Sequence, residues 1–325
     1  MDTGTEDEEV TVMSATDDLR VMASNPVTHT APEPLGPDFA SAMRTAEARV
    51  GQLDQSELRT PDGTVRYVDT GAGAPVLLVH GIFGGADAAL RQLGPFVPDG
   101  FRIIAPSRFG YLGSTLPAGA SPARQADAFA ALLDELGIEK TAVVAACTGA
   151  ASALRLAIRH PERVSALVLV SSSGPGVQYY RRPLPRAVAA ALWGSNRLMW
   201  LARHRFTRMR AVRTGWSPRT ADRAGVGAEL DGLFPVDRRV DGALFDAFVS
   251  NPDINHGYDF GRITAPTLIV HARDDALAPR WCAVGLSELI PTARLLVVED
   301  GGHLMLGDHP EVITETQALL RSTSD

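Results

Sequence analysis

A cysteine stands where an apolar stretch of the sequence gives way to small residues. In residues 143 to 150 (VVAACTGA), Cys147 has Ala145 two positions before it and Gly149 two positions after it. Small residues at this spacing are typical of a sharp strand-to-helix turn that lifts a nucleophilic side chain above a sheet edge. The N-terminus of the following helix would favour a thiolate and an oxyanion. The spacing therefore predicts a nucleophilic thiol, whereas a cysteine taken alone is more often buried packing.

An acid and a histidine follow Cys147 in the sequence, each just beyond an apolar run of strand length. Asp275 lies four residues before Pro279 in HARDDALAP, and its neighbour Asp274 is the competing acid. His303 ends the segment LLVVEDGGH, and the alternative interpretation is a histidine of a surface loop. Catalytic groups of open α/β sheets gather at the carboxyl ends of the strands. The order nucleophile, acid, histidine therefore predicts that Cys147, Asp275 and His303 form one catalytic group.

The segments that must position these residues alternate between strand and helix. Apolar runs such as APVLLV, FRIIAP, TAVVAA, VSALVLV, APTLIV and ARLLVVE are separated by segments of helical character, and SELRT with VRYVDTG flank a Pro-Asp-Gly turn. This alternation predicts an α/β fold with a hairpin and a mostly parallel central sheet flanked by helices. The predicted core comprises residues 39 to 174 and 259 to 325. Residues 175 to 258 break the rhythm and are interpreted as an inserted helical cap.

Composition sets the broad class of the protein. The chain has 325 residues, 45% of them hydrophobic, and a net charge of -7, which argues against nucleic acid as the main partner. Residues 1 to 38 are acidic and contain several prolines, so we expect them to be largely disordered. The acidic N-terminus and the lack of an apolar run of ~20 residues predict neither a signal peptide nor a membrane span, and a cytoplasmic location follows by default. Two cysteines are too few for a disulfide framework, although one bridge between them remains open.

From about residue 56 to residue 321 the sequence resembles the α/β-hydrolase superfamily. The resemblance rests on four segments, LLVHGIFGG (77 to 85), AACTG (145 to 149), ARDDALAP (272 to 279) and DGGH (300 to 303). It implies that the histidine takes the proton of the nucleophile and that the acid orients the histidine. It also implies that the backbone N–H groups of Ile82 and Thr148 bind the oxyanion. Cysteine replaces the usual serine, as in dienelactone hydrolases, but the cap and the HGIFGG loop resemble capped esterases and thioesterases more closely.

The cap has an unusual charge distribution. Nine arginines occur from residue 181 to residue 213, and no Asp or Glu occurs from residue 163 to residue 221. A solvated helical face is one interpretation. The other is a docking surface for an acidic acyl carrier protein or for the phosphates of coenzyme A. The inner face of the cap, partly core and partly pocket lid, is predicted to be built by Trp193, Leu198, Met199, Trp200 and Leu201. The residues predicted to bind substrate are Phe83, Trp193, Met199 and Trp200.

These features lead to three functional hypotheses. The first is a Cys-His-Asp enzyme that processes an ester or thioester, by hydrolysis or by acyl transfer, cyclisation or elimination through an acyl-cysteine intermediate, on an apolar or polyketide-like metabolite. The second is other chemistry of the same fold, of the epoxide, C–C bond or perhydrolase type. The third is a non-catalytic ligand-binding protein. No cofactor is predicted, and the scattered histidines form no metal-ligand pattern, so no metal is predicted.

Overall fold

The computed structural model describes residues 35, 38–175, 184–210, 223–275, 277–305 and 307–324, except the side chains of residues 204–210, 223–226 and 228. The predicted disorder of residues 1 to 38 therefore lies almost entirely outside the described residues. Leu35, within that segment, is buried, and its N–H donates to the Asp231 carboxylate at 3.1 Å.

Eight strands form one sheet in the order β1-β2-β4-β3-β5-β6-β7-β8. Pairing is antiparallel between β1 and β2 and between β2 and β4, and parallel across the rest of the sheet. The predicted hairpin is therefore present, and the predicted fold class is confirmed. The strands are β1 Ser56–Thr60, β2 Gly63–Gly71, β3 Pro75–Val79, β4 Arg102–Pro106, β5 Thr141–Ala146, β6 Val164–Val170, β7 Thr267–Ala272 and β8 Ala293–Val298.

The central strand β3 is buried on both faces. Leu77 and Val79 belong to one hydrophobic cluster, and Val76 and Leu78 belong to the cluster on the other face. Because successive side chains of a strand point to opposite faces, an unbroken apolar run suits a strand covered on both sides by helices. The chain places β4 on one side of β3 and β5 on the other. Open α/β sheets bind ligands beyond the carboxyl ends of the strands at such a reversal of strand order, which here lies between β3 and β5.

Helices cover both faces of the sheet and also make up the described part of residues 175 to 258, the predicted cap. The helices outside the cap are α1 Phe39–Gly51, α2 Ala86–Leu93, α3 Pro122–Glu135, α4 Gly149–Arg159, α10 Arg280–Leu289 and α11 Pro310–Ser322. Those between residues 175 and 258 are α5 Arg186–Trp193, α6 Asn196–Arg210, α7 Arg223–Gly232, α8 Val240–Phe245 and α9 Asn251–Asp253, with a π-helical turn Asp246–Ser250 joining the last two. Within the described part of residues 175 to 258 there is no strand.

Helix α1 packs against residues of the predicted cap. Its buried residues Ala42 and Ala46 join Phe234 and Val236 of the cap in a separate hydrophobic cluster. Arg49 donates to the main-chain carbonyl of Phe234 at 2.7 Å. The predicted core, residues 39 to 174 and 259 to 325, includes this helix. Composition indicates that the segment is helical but does not indicate its packing partner.

Candidate active site

The turn at Cys147 has the conformation that its small neighbours suggested. Strand β5 ends at Ala146, helix α4 begins at Gly149, and Cys147 between them has a φ of 52°. A Cβ at Gly149 would lie 2.5 Å from the His80 carbonyl oxygen, and one at Gly81 would lie 2.9 Å from the Cys147 Cβ. Only glycine therefore fits at these two positions. Non-glycine residues rarely adopt positive φ, and such strain persists where the surroundings hold the chain in place.

The structure brings Cys147, His303 and Asp275 together at the carboxyl edge of the sheet. The Nδ1 atom of His303 lies 2.9 Å from Asp275 Oδ2, and the His303 and Cys147 side chains are near enough to shift each other's pKa. Because Nδ1 donates to the carboxylate, Nε2 is the ring atom that faces the sulfur. Asp275 Oδ1 accepts the N–H groups of Leu277 at 2.8 Å and Ala278 at 2.9 Å, which fixes the carboxylate.

Asp274, the competing acid, has a different environment. Its Oδ1 accepts the N–H of Gly302 at 2.9 Å, so it ties the loop after β7 to the loop that carries His303. Of the two acids, Asp275 contacts the imidazole.

Electrostatics favour an ion pair between the thiol and the imidazole. Burial raises the pKa of the Cys147 thiol, but the His303 imidazolium and the N–H groups of Thr148 and Ile82 outweigh it and hold the pKa below its usual value. Burial lowers the pKa of His303, but the charges of Cys147 and Asp275 outweigh it and raise that pKa well above its usual value. These opposite pKa shifts favour the thiolate of Cys147 beside the imidazolium of His303.

Two backbone N–H groups lie near the sulfur. They belong to Ile82 and Thr148, the residues predicted to bind the oxyanion. Ile82 lies in the loop after β3, and Thr148 follows Cys147; both N–H groups lie near enough to the thiol to lower its pKa. An oxygen that develops negative charge next to the sulfur would lie within reach of the same donors.

His80 supports the loop after β3 from within the core. Its Nδ1 lies 2.8 Å from the Gly81 carbonyl oxygen, and its Nε2 lies 3.0 Å from the Arg108 backbone nitrogen. A carbonyl only accepts and an N–H only donates, so His80 carries its proton on Nδ1 and is neutral. Burial and then the charge of Arg108 lower the pKa of His80 well below its usual value, which agrees with this assignment.

Sequence reasoning missed a buried ion pair behind the nucleophile turn. Arg108 follows β4, Asp246 begins the π-helical turn of the cap, and both side chains have no exposed surface. The Arg108 guanidinium donates to Asp246 Oδ1 at 2.7 Å and to Oδ2 at 2.5 Å, and the Tyr111 hydroxyl donates to Oδ2 at 2.6 Å. The partners are 138 residues apart in the chain, so no local pattern could have indicated the pair.

A second buried ion pair connects the cap to the loop after β3. The Arg239 guanidinium donates to the Asp87 carboxylate at 2.9 and 2.7 Å and to the Gly84 carbonyl at 2.5 Å. Arg239 precedes α8 in the cap, whereas Asp87 lies in the first turn of α2. A cap residue thus holds the loop that carries the Ile82 N–H.

The four residues predicted to bind substrate fall into two places. Phe83 follows Ile82 in the loop after β3, and its ring meets Trp193 of α5 edge-on, with ring centroids 5.5 Å apart. Met199 and Trp200 of α6 instead pack against the hydrophobic cluster of helix α1, where Trp200 meets Phe39 at 5.9 Å. The structure therefore brings Phe83 and Trp193 to the loop beside Cys147 and places Met199 and Trp200 where the cap packs on α1.

Other sequence expectations can be compared with the described residues. Cys147 and Cys282 are both free thiols, so the open possibility of a bridge is excluded. No group of His, Cys, Asp and Glu in the described part of the chain is arranged to hold a metal ion. Among the described helices, none has the length and apolarity needed to cross a bilayer.

Comparison with known proteins agrees with this geometry. A family profile described as the alpha/beta hydrolase fold matches residues 74–310. The chain belongs to the α/β-hydrolase fold family. It is 31% identical over 253 residues to 2-hydroxymuconate semialdehyde hydrolase of Pseudomonas putida, an alignment that covers 75% of this chain and 85% of that protein. It is 29% identical to a 2-hydroxy-6-oxononadienedioate/2-hydroxy-6-oxononatrienedioate hydrolase of Cupriavidus pinatubonensis, over 74% of this chain and 84% of that one.

Solved structures of other proteins have the same fold. An α/β-hydrolase fold protein from Nakamurella multipartita superposes with a TM-score of 0.68 at 28% identity, over 83% of this chain and 99% of that one. The meta-cleavage product hydrolase CumD from Pseudomonas fluorescens superposes with a TM-score of 0.59 at 24% identity, over 82% and 96% of the two chains, which shows a shared fold. The protein is thus an α/β-hydrolase-fold enzyme.

Proposed function

We propose that the protein is a cysteine-dependent acyl-processing hydrolase that acts on an ester or thioester with an apolar or polyketide-like acyl group. The observation that carries this proposal is the placement of Cys147 beside His303, whose ring is hydrogen bonded to Asp275, with two backbone N–H groups near the sulfur. The aromatic pair Phe83 and Trp193 beside this line supports an apolar acyl group.

In the first half of the reaction, the Cys147 thiolate attacks the carbonyl carbon and forms a carbon–sulfur bond. The carbonyl π electrons move to oxygen, and the N–H groups of Ile82 and Thr148 stabilise the charge. Collapse of this intermediate breaks the bond to the leaving group, which takes the proton from His303 Nε2. Asp275 keeps the imidazole oriented throughout. The product of this half is a thioester on Cys147.

In the second half, His303 Nε2 removes a proton from water, and the hydroxide attacks the thioester carbon. The carbon–sulfur bond then breaks, the thiolate returns, and a carboxylic acid leaves. Thioesters also react well with amines and alcohols, so a site that excludes water would direct the acyl group to another acceptor or to cyclisation.

A second candidate is the hydrolysis of a carbon–carbon bond next to a ketone. It is supported by the relatives, whose names describe hydrolases of 2-hydroxymuconate semialdehyde and of 2-hydroxy-6-oxononadienedioate. The same residues would serve, with a stabilised carbanion leaving and taking its proton from His303 in place of an oxygen or sulfur. Epoxide-type chemistry is less well supported because a carboxylate nucleophile is needed and residue 147 is cysteine. A purely binding function does not account for the placement of Cys147 beside a histidine that an aspartate orients.

Intact-protein mass spectrometry tests the proposal directly. The protein is incubated with a p-nitrophenyl ester, an acyl thioester of coenzyme A and a ring-cleavage dienoate, and both adducts and released acids are measured. We expect an acyl adduct on Cys147 with the ester or thioester, and none in His303→Ala. If only the dienoate gives an adduct and a product, the second candidate, hydrolysis of a carbon–carbon bond, is favoured. Turnover that survives in Cys147→Ala would refute both.

Alkylation by iodoacetamide across pH tests the ion pair without substrate. At neutral pH an ordinary thiol is only a few per cent thiolate, so we expect Cys147 to react about tenfold faster in the wild type than in His303→Ala. Cys282→Ala is the matched control, because burial raises the pKa of that thiol to about 11 and its loss should leave the profile unchanged. Equal reactivity of Cys147 with and without His303 would exclude an activated nucleophile.

The arginine-rich cap carries a separate proposal about the partner. Arg186 and Arg197 lie on α5 and α6 and are exposed, and we propose that they meet the phosphates of coenzyme A or an acidic acyl carrier protein. Reversing both charges to Glu should raise KM for the carrier-bound acyl group and leave KM for a p-nitrophenyl ester unchanged. An equal effect on both substrates would contradict carrier docking.

A further inference from the structure

The buried pair of Arg108 and Asp246 is connected to the nucleophile turn through one hydroxyl. Thr148 Oγ1 lies 3.0 Å from Asp246 Oδ2 and 3.2 Å from Arg108 Nη2. A carboxylate only accepts and a guanidinium only donates, so the hydroxyl donates to Asp246 and accepts from Arg108. Both hydrogen-bonding roles of the hydroxyl are thereby used, which fixes the side chain of Thr148 in one rotamer.

The same arginine reaches the second N–H-bearing segment. Arg108 Nε donates to the main-chain carbonyl of His80 at 2.9 Å, immediately before the loop that carries Ile82. One guanidinium thus holds the chain on both sides of the sulfur, at the end of β3 and after the end of β5. Asp246, which belongs to the cap, holds that guanidinium in place.

The nucleophile turn needs such support. Cys147 is a non-glycine residue at positive φ, and this conformation persists only where neighbouring contacts over-determine it. The residue that follows the strained position is Thr148, and its N–H must point at the sulfur. A buried ion pair is weak support for stability alone, because apolar residues of similar volume often serve as well. In this protein, polar atoms of the Arg108–Asp246 pair hydrogen bond to Thr148 in the nucleophile turn.

We propose that Asp246 and Arg108 are positioning residues: through the Thr148 hydroxyl they hold the turn at Cys147 and aim the Thr148 N–H at the reacting atoms. The cap would then take part in setting the geometry of the core's catalytic edge, besides covering it. This proposal rests on the proposed function for its effect on turnover, but its effect on the turn is independent of any substrate.

The first test is Thr148→Val, which removes the hydroxyl without changing charge or volume much. We expect kcat to fall about tenfold with KM within about twofold, because the mis-aimed donor acts on the developing oxyanion. Loss of the N–H contact should also move the alkylation profile of Cys147 to higher pH. The matched control is Thr141→Val at the other end of β5, a buried hydroxyl that donates to the Pro75 carbonyl at 2.9 Å.

The second test is Asp246→Asn, read out by hydrogen–deuterium exchange of a peptide spanning residues 145 to 150. We expect at least tenfold faster exchange there, with a peptide of β7 as the internal reference. The matched control is Glu229→Gln, another change from carboxylate to amide in the cap, which breaks the pair with Arg91 at 3.0 Å. If Asp246→Asn fails to fold, Thr148→Val still decides the question.

The results separate the two proposals. A shifted alkylation profile in Thr148→Val, or faster exchange of the turn in Asp246→Asn, with neither in its control, supports the positioning role. This holds even if no protein turns over any substrate, in which case only the proposed function fails. Controls that behave like the test variants, or test variants with no change at the turn, would show that the pair only anchors the cap.

Discussion

The two halves of the cap contact the rest of the chain in opposite ways. Residues 229 to 254, the anchored half, are joined to the core by four ion pairs whose side chains are mostly or wholly buried. The pairs are Arg91–Glu229, Arg108–Asp246, Arg155–Asp253 and Arg239–Asp87. Helix α8 of this half also lies so close to the core that the Gly242 N–H donates to the Gly110 carbonyl at 3.0 Å.

Residues 184 to 203, the outer half, expose apolar side chains instead. In helix α5 the one fully buried side chain is Ala189. Most of the exposed large apolar side chains of the described residues are here, and they are Leu184, Val188, Leu192, Leu198 and Leu201. The outer half reaches the site through Trp193, which meets Phe83.

This difference separates two tasks within one insertion. The anchored half holds the loops that carry the N–H donors, and its polar contacts tolerate little displacement. The outer half supplies an aromatic contact beside the site and, apart from Met199 and Trp200 on helix α1, exposes most of its large apolar side chains. Elements of this second kind open at lower free energy than packed ones. Substitutions in the cap and at its contacts with the core test this contrast.

The largest effect is expected from Asp87→Asn in the anchoring contacts. The Arg239 guanidinium would stay buried without its charge partner, so we expect the free energy of unfolding to fall by about 3–5 kcal/mol in urea denaturation. Glu57→Gln, which breaks two solvent-accessible pairs with Arg59 and Arg66, should cost less than about 1 kcal/mol. A similar loss in both variants would mean that the buried pair does not anchor the cap.

The lowered pKa of the Asp87 carboxylate predicts that the free energy of unfolding depends on pH. Burial raises the pKa of Asp87, but the Arg239 charge outweighs it and lowers the pKa from 3.8 to about 2. A lowered pKa stabilises the folded state above the unfolded value, and this contribution is lost as pH falls from about 4 to about 2. The difference corresponds to about 2 kcal/mol. Between these pH values the wild type should therefore lose about 2 kcal/mol more than Asp87→Asn; equal losses would contradict the assignment.

A pair of glycine substitutions compares packing on two cap helices. At Gly242 of α8 an added Cβ would lie 2.3 Å from the Tyr111 ring, so Gly242→Ala should cost about 1–3 kcal/mol. At Gly227 of α7 an added Cβ meets no described atom within 4 Å, so Gly227→Ala should stabilise the helix by up to about 1 kcal/mol. Thermal denaturation measures both. Two variants of equal stability would remove the evidence for close packing at α8.

The fold and the residues around the sulfur were accessible to sequence reasoning because their signals are local. The turn at Cys147 is encoded by neighbouring small residues, and Asp275 and His303 each follow an apolar strand. The parallel sheet then brings them to one edge. Choosing Asp275 over Asp274 also depended on a short spacing, and the structure places Asp275 on the imidazole.

The anchoring contacts were not accessible because they join distant charges. Asp246 is one of three acids in residues 240 to 253, and Arg108 is the one charged residue in residues 107 to 121, so nothing local marks which acid meets which arginine. The same limit applies to Met199 and Trp200. Their apolar character predicted burial, but not that helix α1, more than a hundred residues earlier, would cover them.

The smallest effect is expected in the outer half. Leu201 is 56% exposed, so Leu201→Gln should change the free energy of unfolding by no more than about 0.5 kcal/mol. The same substitution at Leu244 of the anchored half, which is 6% exposed, should cost several kcal/mol because it buries an amide in place of an apolar side chain. Urea denaturation of both variants gives the contrast on one scale. A loss above about 1.5 kcal/mol in Leu201→Gln would show that the outer helix is covered in solution, and the two halves would then differ in partner and not in packing.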